Sequence, residues 1–118
     1  MTSCRAFAGL AVISLVACRR APDSFALAQT PADLRAAVLA AVPIGLTADR
    51  GRRLLERQGF ACELASNATF GGNERLDYVH CDRSTQADVS VARRSQVALV
   101  LTGGRISDVR AATGLIGP

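Results

Sequence analysis

The sequence predicts an α+β domain in which two N-terminal helices pack on an antiparallel meander of three or four strands. Three features carry this expectation. Helix-start chemistry recurs at Thr30-Pro31 and at Thr47, and Gly59 closes the second of these segments. From Phe60 onward apolar and polar residues alternate with the period of a half-buried strand. Gly103-Gly104 then separates two apolar runs as a hairpin signal.

Each element follows from local chemistry. Thr30 can cap, Pro31 suits the first helical position and Asp33 faces the positive end of the dipole. Leu34, Val38, Ala41 and Val42 recur at helical spacing, and Pro43 ends the helix. Ile44-Gly45-Leu46 connects to a second cap at Thr47. That helix is expected to run to about Gln58 with Leu54 and Leu55 inward, Gly59 left-handed, and Phe60 packed back on Leu55. Phe60, Cys62 and Leu64 then alternate as the inner side of a first strand. Asn67 to Arg75 reads as a turn or flexible loop, Leu76 to Arg83 as a second strand broken by Ser84 to Asp88, and Val97 to Leu101 as a third. Ile106 to Arg110 partners the third strand, and residues 111–118 read as a loose or short final element.

Ahead of this domain lies a segment of different composition. Residues 6–17 carry no charge, follow Arg5, and stop sharply at Arg19-Arg20. The run is shorter than the roughly 20 apolar residues a membrane-spanning helix needs, and it matches the apolar core of a secretory signal. Its end, Leu15-Val16-Ala17-Cys18, resembles the lipobox of bacterial lipoproteins. In that family small residues precede a cysteine whose sulfur accepts a diacylglyceryl group, and the amine freed by cleavage can be acylated in turn. Cleavage there makes residues 1–17 a signal peptide, residues 18–30 a lipidated tether beginning at Cys18 whose Phe25 and Leu27 can rest on the domain, and residues 31–118 the folded domain. Arg19, rather than Asp, in the next position implies by the family's sorting rule an outer-membrane address facing the periplasm. A competing cleavage pattern, Ala26-Leu27-Ala28 before Gln29, would release a soluble periplasmic protein. A third reading keeps the segment as the N-terminal helix of a cytosolic protein.

Cysteine usage fits export. With Cys4 lost in the leader and Cys18 lipidated, Cys62 and Cys81 remain, each in an expected strand. An even remainder in an exported domain reads as a disulfide, against free thiols or a metal site. Two ligands at that spacing are too few for zinc, so no metal and no cofactor are expected. A bridge of this span is worth about 3 kcal/mol in the chain-entropy model. That is a large share for a core with 4% aromatic residues and no tryptophan.

Charge excludes little. The net charge of +4 falls to +3 when Arg5 leaves with residues 1–17. All 14 basic residues are arginine, and they are interleaved with acids apart from the pairs Arg19-Arg20, Arg52-Arg53 and Arg93-Arg94. This is the pattern of solvated faces rather than a nucleic-acid patch. His80 beside Cys81 invites a thiolate reading, but strand neighbours point to opposite faces. Asn67-Ala68-Thr69 fits a glycosylation sequon that a bacterial lipoprotein would ignore. Tyr78 and His80 are expected to form a small exposed pair, and no catalytic residue is expected.

The order helix, helix, meander, together with Ile44-Gly45-Leu46-Thr47-Ala48 entering the second helix and Gly59-Phe60 leaving it, resembles the small outer-membrane lipoproteins of the SmpA/OmlA type (BamE-like). The likeness covers residues 31–110. It implies a non-enzymatic envelope module held to the membrane by its lipid anchor. Such a module contacts another envelope protein and can support outer-membrane assembly. A soluble periplasmic inhibitor or ligand-binding domain is the alternative.

Overall fold

The computed structural model describes Phe25 and residues 28–116. Its element order is α1 (Pro31–Ala41), α2 (Ala48–Glu56), β1 (Ala61–Ala68), β2 (Leu76–Asp88), β3 (Val91–Thr102) and β4 (Arg105–Ile116). The four strands form one antiparallel sheet in sequence order, so the α+β class and the meander are as expected. The expected signal peptide lies outside the described residues.

The caps work as the sequence indicates. Thr30 Oγ1 accepts from the Asp33 amide at 3.1 Å, and Thr47 Oγ1 from the Arg50 amide at 3.4 Å. Val42 turns extended ahead of Pro43, which closes α1. Regular α2 bonding stops at Glu56, short of Gln58, because a paired C-cap takes over. The Phe60 amide bonds to the Leu55 carbonyl at 3.1 Å and the Gly59 amide to the Glu56 carbonyl at 3.0 Å. Gly59 sits at φ +89°, the left-handed position this cap requires.

Both helices lie on one face of the sheet. Leu34, Val38, Val42, Leu55, Val79, Cys81, Val97, Leu99, Ile106 and Val109 form the core between them. Leu54 packs at its margin, while Gly51, one turn before Leu55, is buried against the sheet. A β-carbon at Gly51 would overlap Ile106 Cδ1 and stand 3.1 Å from Leu99 Cδ1 and 3.3 Å from Val42 Cγ1. The missing side chain is what lets α2 approach. The α1–α2 connector is itself stitched to the start of β4. The Gly45 amide donates to the Ile106 carbonyl and the Ile106 amide to the Leu46 carbonyl, both at 2.8 Å. Arg35 of α1 adds a bond from Nε to the Val109 carbonyl at 2.8 Å and an ion pair with Asp108 at 3.2 Å.

Four expectations are corrected. The strands are longer than read: β2 continues through Ser84 to Asp88, β3 begins at Val91, and β4 runs through residues 111–116. Their outer halves pair with each other in register, so cross-strand bonding extends strands whose polar sequences alone read as breaks. Leu64 is 67% exposed because β1 is an edge strand and the helices end short of it. Tyr78 is buried at 5%. The cause is the β1–β2 loop, which folds over the sheet instead of standing away. Phe70 meets Tyr78 edge-on with centroids 5.8 Å apart, Tyr78 Oη donates to the Thr69 carbonyl at 2.9 Å, and Glu74 pairs with Arg110 of β4 at 2.6 Å.

The segment before α1 also docks. Phe25 is 5% exposed and Ala28 3%, and the Phe25 ring stands edge-on to Phe60 at 5.5 Å between centroids. Phe60 carries Arg83 on its face at 5.9 Å, and Thr113 Oγ1 donates to the Gln29 carbonyl at 3.3 Å. Arg83, Ser95 and Thr113 form one row across β2, β3 and β4. Phe25 and residues 28–29 therefore lie on the helix side of the sheet at this row, and Ser95 in the row is buried at 6%. Of the expected tether 18–30, Phe25 and residues 28–30 belong to the fold.

Candidate functional site

The staple anchors the geometry. Cys62 and Cys81 are direct cross-strand partners, their Cα atoms 4.1 Å apart and their sulfurs bonded. Cys81 is fully buried on the helix side. His80 faces the other way, beside Phe70 at 6.1 Å and Tyr78 at 6.4 Å between ring centroids. The two residues thus stand on opposite faces, as strand alternation requires. Cys18 and its expected lipobox partners Leu15, Val16 and Ala17 lie outside the described residues. Asn67 is exposed, at φ +49° in a β1 irregularity, with its amide bonded to Asp77 Oδ1 at 2.9 Å.

The face opposite the helices divides in two. One half, with Tyr78, Ala98 and Val100 all buried, lies under the 69–75 loop. The other half is open and centres on Arg94. Its Nε and Nη2 donate to Asp82 Oδ1 and Oδ2, each at 3.0 Å, a two-pronged pair across β2 and β3. Gln96, turned so that its carbonyl oxygen faces the guanidinium, accepts from Arg94 at 3.0 Å. The hydrogen bond to Asp82 is the chief cause raising the Arg94 pKa above its ordinary value.

Two shallow recesses flank this guanidinium. One, of about 280 Å³, is lined by Ala61, Cys62, Glu63, His80, Asp82 and Arg94. The other, of about 230 Å³, runs from Arg94 and Gln96 over Ala112 and Gly114 to Ile116. Ala112 and Gly114 create the second recess by leaving the β4 side of the face nearly bare. Asp82 already satisfies the Arg94 charge, and Glu63 adds a carboxylate to the same face. It suits a polar or weakly apolar partner surface better than a free anion. Among the described residues no three His, Cys, Asp or Glu side chains gather as a metal site, and no helix is long and apolar enough to cross a membrane.

Sequence reading treated Arg93-Arg94 as a solvated pair and did not single out Asp82 or Gln96. The signal lay in the register: a turn at Val89-Ser90 together with a one-residue bulge between Gln86 and Asp88 puts Arg94 and Asp82 on one face, two residues apart along the ladder.

Comparison of the chain with protein-family models, with curated proteins and with solved structures gave no match.

Proposed function

We propose that this chain is a lipid-anchored cell-envelope protein, acylated at Cys18, that acts as a non-catalytic binding or scaffolding module on the periplasmic side of an outer membrane. The observation that carries the reading is the burial of Phe25 and Ala28. Cleavage after Ala28, which would give the soluble alternative, strips the Phe60 ring of its aromatic neighbour and removes two core residues. Cleavage before Cys18 leaves the domain whole. The Cys62–Cys81 bond supports an oxidising compartment. The capped entry to α2 and the glycine exit into β1 fit the resemblance to SmpA/OmlA-type lipoproteins, and a supporting role in outer-membrane assembly is part of this proposal.

In this mechanism the lipid fixes location, residues 18–24 give reach, and the open half-sheet around Arg94 makes the contact. A fully extended seven-residue link spans at most about 25 Å, so the domain works close to its membrane. Labelling of the expressed protein with a radioactive or alkyne fatty acid tests the reading. The expected result is label on the wild type and none on Cys18→Ala. An unlabelled wild type whose N-terminus is Gln29 would overturn it.

A further inference from the structure

We infer that the far end of the sheet, where the β2–β3 hairpin turns and β4 ends, is a membrane-docking tip that rests on anionic lipid headgroups beside the acyl anchor. The inference rests on the proposed acylation of Cys18 and adds the orientation of the domain to it.

Three observations converge on this end. Val89 at the hairpin turn is 91% exposed, Leu115 63% and Ile116 46%. They are three of the five large exposed apolar side chains among the described residues. Register brings them together: Leu115 pairs with Arg93 and Ile116 with Ala92, immediately beside the Val89-Ser90 turn. Exposed apolar side chains at the turn and on both faces of the sheet's last rows give this outermost point the form of an edge that enters another medium.

The chain enters the fold at the same end. Phe25 lies over Phe60 beside Arg83, and Gln29 meets Thr113, two rows in from the one holding Leu115. The opposite end carries the Gly103-Gly104 turn and the 43–47 connector. A lipid on Cys18, seven residues before Phe25, therefore pulls the hairpin tip toward the bilayer and the connector away from it.

Charge matches a headgroup surface. Arg93 occupies the same row as Leu115, and Arg19 and Arg20 follow the acylated residue. Arg94 is held by Asp82, and the acids of these stretches are Asp88 among residues 83–94 and Asp23 among residues 19–24. The balance is basic, and arginines within about a Debye length, ~8–10 Å, of anionic lipid are attracted to it. Apolar tips flanked by arginine suit the interface, where the chains enter the acyl boundary and the guanidiniums stay among phosphates.

The test uses the mature lipidated protein and the absence of native tryptophan. Single variants Val89→Trp and Leu115→Trp report on the tip, and Ile44→Trp and Leu64→Trp report on exposed sites elsewhere. Each protein is reconstituted into phosphatidylcholine–phosphatidylglycerol vesicles with brominated acyl chains, and flotation and indole emission are read together. The expected result is flotation of all four with loss of most emission at positions 89 and 115 and none at 44 or 64. Flotation with no quenching at 89 and 115 overturns the docking tip and assigns that surface to a protein partner. Equal quenching at all four positions overturns the orientation. Failure to float brings down the anchored reading itself, and this inference with it. Leu115→Trp guards against a local effect at the hairpin, since it sits on a different strand.

Discussion

Removal of Phe25 tests whether the segment before α1 is part of the domain, and with it which N-terminus the folded protein can tolerate. Phe25 is buried to 5% and its ring edge meets Phe60. Truncating a buried phenylalanine to alanine costs about 3–5 kcal/mol. The site lies at the margin of the core, where the chain can relax, so the lower figure, ~3 kcal/mol, applies to Phe25→Ala. A domain of this size holds about 5–10 kcal/mol in total, at roughly 0.1 kcal/mol per residue. With a urea dependence of about 1 kcal/mol per molar, the unfolding midpoint should fall by ~2–3 M. The assay compares four unlipidated chains: one beginning at Arg19, the same chain with Phe25→Ala, the same with Phe25→Leu, and one beginning at Gln29. The alanine variant and the Gln29 chain should lose similar amounts, since Ala28 adds only a methyl group. The leucine variant should lose less than about 1.5 kcal/mol because most of the apolar volume stays. A Gln29 chain that unfolds at the same urea concentration as the Arg19 chain would refute the argument and restore cleavage after Ala28 as an equal possibility.

Other outcomes follow from the same structure. Gly51→Ala gains about 1 kcal/mol of helix propensity but forces a methyl group against Ile106, Leu99 and Val42, an overpacking of about 1–3 kcal/mol. Thermal unfolding should show a net loss of up to ~2 kcal/mol, whereas Gly72→Ala, with nothing within 4 Å of the new carbon, should not destabilise. The pair Cys62→Ala and Cys81→Ala should lower stability by about 3 kcal/mol under oxidising conditions and make it insensitive to reductant, while the native protein should resist alkylation until reduced. Asp49 titrates below its ordinary 3.8, chiefly through its hydrogen bond from Arg52, with Arg53 adding attraction. A depressed carboxylate contributes its full stabilisation above pH 3.8 and loses it as pH falls through the lowered value. NMR titration of Asp49 should show that low value, and Arg52→Ala should return it toward 3.8.

What the sequence made legible was local. Thr30, Thr47 and Gly59 act through their own backbone, and each does in the fold what its residue type allows in isolation. The Cys62–Cys81 pairing was legible for a related reason, because both cysteines lie in recognisable strands and the count left no other partner. What stayed hidden depends on residues far apart in the chain. Ser84 to Asp88 is polar and reads as a break, yet it is held in β2 by pairing with residues 91–94. Leu64 continues a perfect alternation, and nothing in that pattern reveals that the helices stop short of it. Tyr78 reads as a solvent-facing residue until Phe70, eight positions earlier, folds back over it. The Asp82–Arg94 pair needed the hairpin register, which a turn of Val89-Ser90 does not advertise as an Asn-Gly or Gly-Gly turn would.

The coverings of the sheet leave one region bare, and its position bears on partner choice. On the helix side, α1 and α2 cover one end, and Phe25 with residues 28–30 lies toward the other. On the opposite side, the 69–75 loop covers the end nearer the Gly103-Gly104 turn, pinned there by Glu74 on Arg110. What remains is the quarter around Asp82, Arg94 and Gln96, which runs without interruption to Ile116 at the sheet's end. If that end rests on lipid, the bare quarter stands upright from the bilayer and faces sideways, toward whatever shares the membrane. Glu74→Ala would then enlarge the bare face without altering the anchor. A partner that reads the Arg94 quarter alone should bind the variant as it binds the wild type, whereas Arg94→Ala, which also leaves the Asp82 carboxylate unpaired, should abolish the contact.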